Sequence, residues 1–250
     1  MNLQMKKYLS PVNSQGSNVK GSHGFTLLEL LIVVSIIAIL SVALVLVLDP
    51  AETLRKSRDA QRMSDLSTLK TAIGLYTTST TTPYLGSNTA NTLCKPIPST
   101  GRGSAGAYKI WYSIPTSSAI GDLTLDSSDT TTPAAQSSAS LYTLTDSTGW
   151  IPVNFDSLIG GSPISNLPID PVNTIGALGG LDISTTTLAY RYSCSITPLA
   201  FEIDAVLESN TYTTGTDNKF TKDGGNSDYY YEVGTNLKIL GAGGASPAGF

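Results

Sequence analysis

The chain has 250 residues, 40% of them hydrophobic, and a formal net charge of −4. That mild acidity excludes a nucleic-acid footprint in bulk, and one histidine with two cysteines is too few for an ordinary zinc set. Only 14% of residues are charged while serine, threonine and glycine abound, a composition suited to an extracellular surface of polar, uncharged loops.

Residues 1–24 are polar, with Lys6, Lys7 and Lys20 and no acid, and the only histidine, His23, lies among them. They read as a leader rather than as part of the fold. From Phe25 to Leu48 the only polar residues are Thr26, Glu29, Ser35 and Ser41. A helix over 25–48 would be about 36 Å long, enough to cross a bilayer core of about 30 Å. Basic residues flank this run on both sides, since Arg55, Lys56, Arg58 and Arg62 follow it, so charge asymmetry does not set its orientation.

Two features do not fit a plain anchor. Gly24 stands directly before the run, and the carboxylate of Glu29 stands inside it. A carboxylate in hydrocarbon is costly unless neutralised or paired, and nothing basic lies between Phe25 and Arg55. A cut after Gly24 would give Phe25 a charged α-amino group about one helical turn from Glu29. The small residue precedes the apolar run, whereas a secretory signal carries it afterwards. Cleavage would therefore remove the leader and keep the helix.

Gly24, Phe25, Thr26, Leu27, Leu28 and Glu29, followed by an unbroken apolar run, resemble the class III signal of type IV pilins and type II secretion pseudopilins. The resemblance implies that a prepilin peptidase cuts between Gly24 and Phe25 and methylates Phe25. It implies that Glu29 guides docking of the subunit into a helical filament. It further implies a single-pass inner-membrane protein with its leader in the cytoplasm and its globular domain outside. The implied partners are copies of itself and related pilins, the peptidase and methyltransferase, the membrane, and an assembly platform protein. Many helices of that family carry a proline about midway; here that region reads Leu46-Val47-Leu48, and the proline is Pro50.

Asp49-Pro50 predicts a kink or a restart. Beyond it, Leu66, Leu69, Ile73 and Tyr76 recur at steps of three and four, with Met63 and Leu54 near the same face. The opposite face carries Arg55, Arg58, Asp59, Arg62, Asp65 and Lys70, with Arg62 and Asp65 in reach at i,i+3. That charged face is expected to be solvated or to meet neighbouring subunits. With the apolar half, the helix would run about 80 Å. Threonines at 77–82 and Pro83 end it.

Residues 84–135 are low in complexity, apart from the alternation of Tyr108, Ile110, Tyr112 and Ile114, a candidate strand. GRGSAG at 101–106 has the letters of a dinucleotide fingerprint but opens no helix and reads as a loop. Residues 127–140 read as a flexible loop open to glycosylation. Residues 149–173, punctuated by proline and glycine, read as an ordered connector. Leu188, Tyr190, Tyr192, Cys194 and Ile196 alternate, as do Leu199, Phe201, Ile203, Ala205 and Leu207, with Thr197-Pro198 as the hairpin turn between them. A further strand pair is expected at 229–233 and 237–240.

Cys94 and Cys194 read as a disulfide in a domain outside the membrane; the alternative is two reduced, buried thiols. LP-x-DP at 167–171, the tyrosine-rich strand, VLE at 206–208, DGG at 223–225 and YEVGT at 231–235 resemble the pseudopilin G-like family. Members of that family hold calcium in a C-terminal loop. Here Asp217, Asn218, Asp223, Asn226 and Asp228 share a glycine-rich loop, which makes Asp217, Asp223 and Asp228 calcium candidates. The spacing is not that family's, and the alternative is an acidic surface loop.

The expected fold is α+β, a long N-terminal helix with a transmembrane and an amphipathic half, packed on a small antiparallel sheet with long loops. The expected division is leader 1–24, transmembrane and filament-core helix 25–48, amphipathic continuation 49–78, and a pilin-like domain over 79–250. Within that domain 79–148 reads as an enlarged insertion, 149–240 as connector and sheet, and 241–250 as a mobile tail. No histidine survives leader removal and no serine sits in a nucleophile elbow, so the expected role is structural and not enzymatic. The alternatives are a minor pilin for adhesion or DNA uptake, which alone would bring nucleic acid as a partner, and a membrane-anchored binding domain that never polymerises.

Overall fold

A computed structural model describes residues 24–96, 108–114, 132–134, 141–173, 183 and 186–241. The chain divides into two compact units, Met1–Leu48 and Asp49–Phe250. The described part of the first unit is helix α1, Leu27–Leu48. Its side chains are exposed all along the helix wherever they are described.

The helix α2, Pro50–Ser79, opens the second unit. It is a fresh helix and not a continuation of α1, because Asp49 sits at φ 35°, outside helical geometry. Asp49 caps it, accepting from Glu52 N at 3.2 Å, and Pro50 takes the first position, where no amide is needed. Thus the expected restart occurs at Asp49-Pro50.

Five strands follow: β1 (Lys109–Tyr112), β2 (Thr132–Ala134), β3 (Tyr190–Ile196), β4 (Leu199–Ala205) and β5 (Tyr231–Gly234), in the order β2-β1-β3-β4-β5. From β1 to β5 the pairings are antiparallel, as expected, while β2 runs parallel to β1 at the edge. A strand within 127–140 corrects the reading of that stretch as loop throughout. The described part of 149–173 holds one 3-10 turn, Phe155–Ser157, and no strand. The hairpin β3–β4 closes on a cis Thr197–Pro198 bond, with Ile196 opposite Leu199 and Tyr190 opposite Ala205. A short helix α3, Asn210–Thr213, follows β4. The 101–106 loop lies outside the described residues.

Residues 237–240 form no strand. Their amides are taken by a side chain, since Ile239 N and Leu240 N both donate to Glu202 Oε2, at 2.6 and 2.8 Å. Those two amides are therefore not free to join a ladder.

The core forms where the apolar stripe of α2 meets the alternating face of the hairpin. Leu66, Leu69, Ala72, Ile73 and Tyr76 pack with Tyr190, Tyr192, Cys194, Phe201, Ile203 and Ala205. The connector joins them as a core element: Trp150 is fully buried and donates from Nε1 to Pro168 O at 3.0 Å. Burying each large side chain stabilises by about 1.5–3 kcal/mol, so a stripe of this kind suffices to fix α2 on the sheet. The opposite face of the hairpin is not solvated. Arg191, Ser193, Ser195, Glu202 and Asp204 are all buried, beneath Tyr230, whose ring centroid lies 3.7 Å from the Arg191 guanidinium carbon.

Candidate assembly site

The first residues of α1 form a closed polar knot. Thr26 donates from both N and Oγ1 to Glu29 Oε2, each at 2.9 Å, and Glu29 N returns a bond to Thr26 Oγ1 at 3.2 Å. This is a capping box, which satisfies amides that a helix start leaves orphaned. It occupies one carboxylate oxygen; Glu29 Oε1 accepts no hydrogen bond among the described residues. Ser35 and Ser41 return their hydroxyls to Ile32 O and Ile37 O, both at 2.7 Å. Those hydroxyls are satisfied inside the helix, and the outer surface from Leu30 to Val45 stays apolar. Among the described residues, Gly24 has nothing within 4 Å of where a Cβ would stand.

The charged face of α2 behaves differently from the sequence expectation. Asp59 and Arg62 are fully buried inside their own domain, neither solvated nor on an outer face. Arg62 grips Asp170 bidentately, Nε to Oδ2 at 2.6 Å and Nη2 to Oδ1 at 2.9 Å, and its Nη1 reaches Asp59 and Glu208, both at 2.7 Å. Arg58 holds Glu208 by a second bidentate pair at 2.7 and 2.8 Å. Asp59 also accepts from Glu208 N at 2.9 Å and Ser209 N at 2.7 Å. The expected Arg62–Asp65 pair does not form. Arg62 turns toward the connector, and Asp65 accepts from the Tyr190 hydroxyl at 2.8 Å.

Burial opposes the charge on Arg62, but its bonds to Asp170, Glu208 and Asp59 more than offset this and raise its pKa. The Arg58 hydrogen bond, with Arg62 behind it, holds the Glu208 carboxyl below the usual range against partial burial. Burial pushes Asp65 upward, and the Tyr190 bond only partly counters it. Sequence reasoning missed this cluster as a unit. Asp170 and Glu208 do end the LP-x-D and VLE stretches, yet nothing in linear order joins them to Arg62.

Cys94 and Cys194 are bonded across a separation of 100 residues, which fixes the segment after α2 to β3. The calcium candidates Asp217, Asp223 and Asp228 are not brought together among the described residues. Asp217 pairs with Lys219 at 2.9 Å and Lys222 at 3.5 Å. Asp223 accepts from Gly225 N at 2.9 Å and Glu232 N at 2.8 Å, and Asp228 is exposed. Asn218 caps a local turn through Phe220 N at 2.9 Å. Among the described residues, no three His, Cys, Asp or Glu side chains are placed to hold a metal ion.

Residues 19–45 match the family model of the prokaryotic N-terminal methylation motif. The chain carries this methylation motif at its N-terminal end. The match spans Gly24, Phe25, Glu29 and most of α1, and it stops before the second unit. The α+β layout of that second unit, with its helix laid on a mainly antiparallel sheet, is consistent with a pilin fold. No curated protein and no solved structure matches the chain.

Proposed function

We propose that this pilin-like chain is a structural subunit of a type IV pilus-like or type II secretion pseudopilus filament. Prepilin peptidase cuts it after Gly24 and the new N-terminus at Phe25 is methylated. The subunit waits in the inner membrane, leader side inward and globular domain outward, until an assembly platform extracts it. The observation that carries this reading is the methylation motif set on a helix whose described side chains are all exposed. Such a surface needs lipid, or the same helix of other copies, to cover it.

Glu29 then has a role in each state. In the stored subunit its carboxylate is held by Thr26 through Oε2, which fixes its direction. In the filament Oε1 receives the α-amino group of a neighbouring Phe25. A charge among apolar helices requires a partner of good geometry, so this pairing sets the axial register. The resemblance of the C-terminal half to pseudopilin G-like proteins supports the secretion branch of the proposal. The role is structural; the motif family is not an enzyme family.

Mass spectrometry of the mature N-terminus tests the reading. An N-terminal peptide beginning at N-methylated Phe25, in protein recovered from a sheared filament fraction, is the expected result. A mature chain that retains residues upstream of Phe25 refutes it.

A further inference from the structure

The outer face of β4 and β5 buries two glutamates side by side. Glu202 is fully buried and Glu232 is 2% exposed. Their positions are diagonal in the ladder, with Asp204 opposite Glu232 and Glu202 opposite Gly234. Glu202 Oε2 accepts the Ile239 and Leu240 amides, while its Oε1 is buried with no partner. Glu232 Oε2 accepts Ser227 N at 2.9 Å. The 223–227 loop lies directly on it, since a Cβ on Gly225 would stand 1.7 Å from that oxygen. With its amide turned to satisfy both neighbours, Asn226 donates to Glu232 Oε1 at 3.2 Å and to Leu237 O at 2.7 Å. One pair of carboxyls therefore ties together two strands, the 223–227 loop and the 237–240 segment.

The charges around the pair do not neutralise it. From β3, Arg191 bonds Asp204 of β4 through Nε and Nη2 and lies against Tyr230. Lys95 sends its ammonium to Ile239 O at 3.2 Å. Asp223 adds a further carboxylate, which accepts Glu232 N. Among the described residues neither glutamate has an ion pair. Ionising a buried carboxylate that has a second one as its diagonal neighbour is costly, and an orphaned buried oxygen is costly as well. A proton on Glu202 Oε1, donated toward Glu232, removes both penalties.

We propose that Glu202 carries a proton directed at Glu232 and so forms a pH-sensitive latch that holds 237–240 on the sheet. Burial of Glu202, with Glu232 beside it, raises its carboxyl well above the usual range, in the direction the latch requires. Below the ordinary carboxyl range the folded and unfolded chains both carry the proton, and the latch contributes fully. As pH rises beyond that range the unfolded chain releases its proton first, so the latch weakens until folded Glu202 also loses its own. The proton then leaves to solvent, the two carboxylates repel, and Ile239 and Leu240 lose their anchor. Leu240 belongs to a second apolar cluster with Ile110, Tyr112, Ile114, Ile183 and Ala189, so release loosens that cluster too. The latch gives a subunit exposed outside the cell an alkaline limit.

Hydrogen exchange on the full chain in detergent micelles, from pH 5.5 to 9, tests this through the Ile239 and Leu240 amides. Their protection factors, corrected for the intrinsic pH dependence of exchange, should fall about tenfold per pH unit once release of the Glu202 proton is linked to opening. Glu202→Gln keeps an acceptor for both amides and donates to Glu232, so its protection should stay flat. Glu232→Gln removes the second charge, keeps Glu202 and its two amide bonds, and should also flatten the profile. Flat protection in the wild type, or an undiminished fall in the Gln variants, overturns the proposal. So does recovery of wild-type protection at pH 9 on adding millimolar calcium, which would put a cation where the latch needs a proton.

Discussion

Replacing Arg62 with methionine probes what holds α2 to its domain. Methionine keeps the length and apolar stem of the side chain and removes only the guanidinium. That strips Asp170 of a bidentate partner and Asp59 of its cation, and both carboxylates are fully buried. Removing one partner of a buried pair costs about 3–5 kcal/mol, mostly as the penalty of the orphaned charge. Asp59 retains the Glu208 and Ser209 amides and Asp170 retains Val172 N at 2.8 Å, so the lower half of that range applies. For a unit of this size each kcal/mol moves the melting temperature by about 2–4 °C, which places the loss at about 6–16 °C. The assay is thermal unfolding of the full chain in micelles, followed by near-ultraviolet circular dichroism. Arg58→Ala is the control. Its pair with Glu208 is one-third exposed on the arginine side, so solvent screens it and its loss should move the melting temperature far less. If Arg62→Met melts within 2–3 °C of wild type, at about the Arg58→Ala value, the buried cluster is not what fixes α2.

Gly24→Glu should leave the leader attached, seen as a heavier subunit in membranes by mass spectrometry. Glu29→Ala should leave expression, cleavage and insertion intact while filament in the sheared fraction falls sharply, with Glu29→Asp intermediate because the charge stays and the reach shortens; filaments at wild-type yield would refute the docking role. Reducing the Cys94–Cys194 bond reopens a loop of 100 residues; the chain-entropy model sets the loss at about 4–5 kcal/mol, readable as a lower melting temperature. Acid should destabilise the domain through Glu208. Its folded carboxyl sits below the ordinary range because of Arg58 and Arg62, so its contribution is full above the unfolded value near pH 4 and is lost as pH falls through the folded one. Glu208→Gln should flatten that acid limb.

The amino-acid sequence by itself determined what depends on local pattern. The apolar run with Glu29 inside it and Gly24 before it needs no tertiary information. Alternation at two-residue spacing placed β3 and β4, and the steps of three and four in α2 picked out Leu66, Leu69, Ile73 and Tyr76 as its buried stripe. Asp49-Pro50 marked the restart of the helix, because a cap and a proline act within one turn. Only the tertiary structure decided the fate of the charges. Arg62 looks like one member of a solvated helix face until Asp170 and Glu208 arrive from 108 and 146 residues away. Glu202 and Asp204 alternate with core residues as solvent-facing groups would, and are buried because Tyr230, the 223–227 loop and the 237–240 segment cover that face. The aspartates of the C-terminal loop share a short stretch of chain, yet Asp217 turns to Lys219 and Lys222, Asp223 to two backbone amides, and Asp228 to the surface. Periodicity reports which side of an element is apolar, because burial of carbon scales with area wherever the neighbour comes from. A buried charge requires particular partners at hydrogen-bond distance, and chain order does not say which distant residues the fold will bring there.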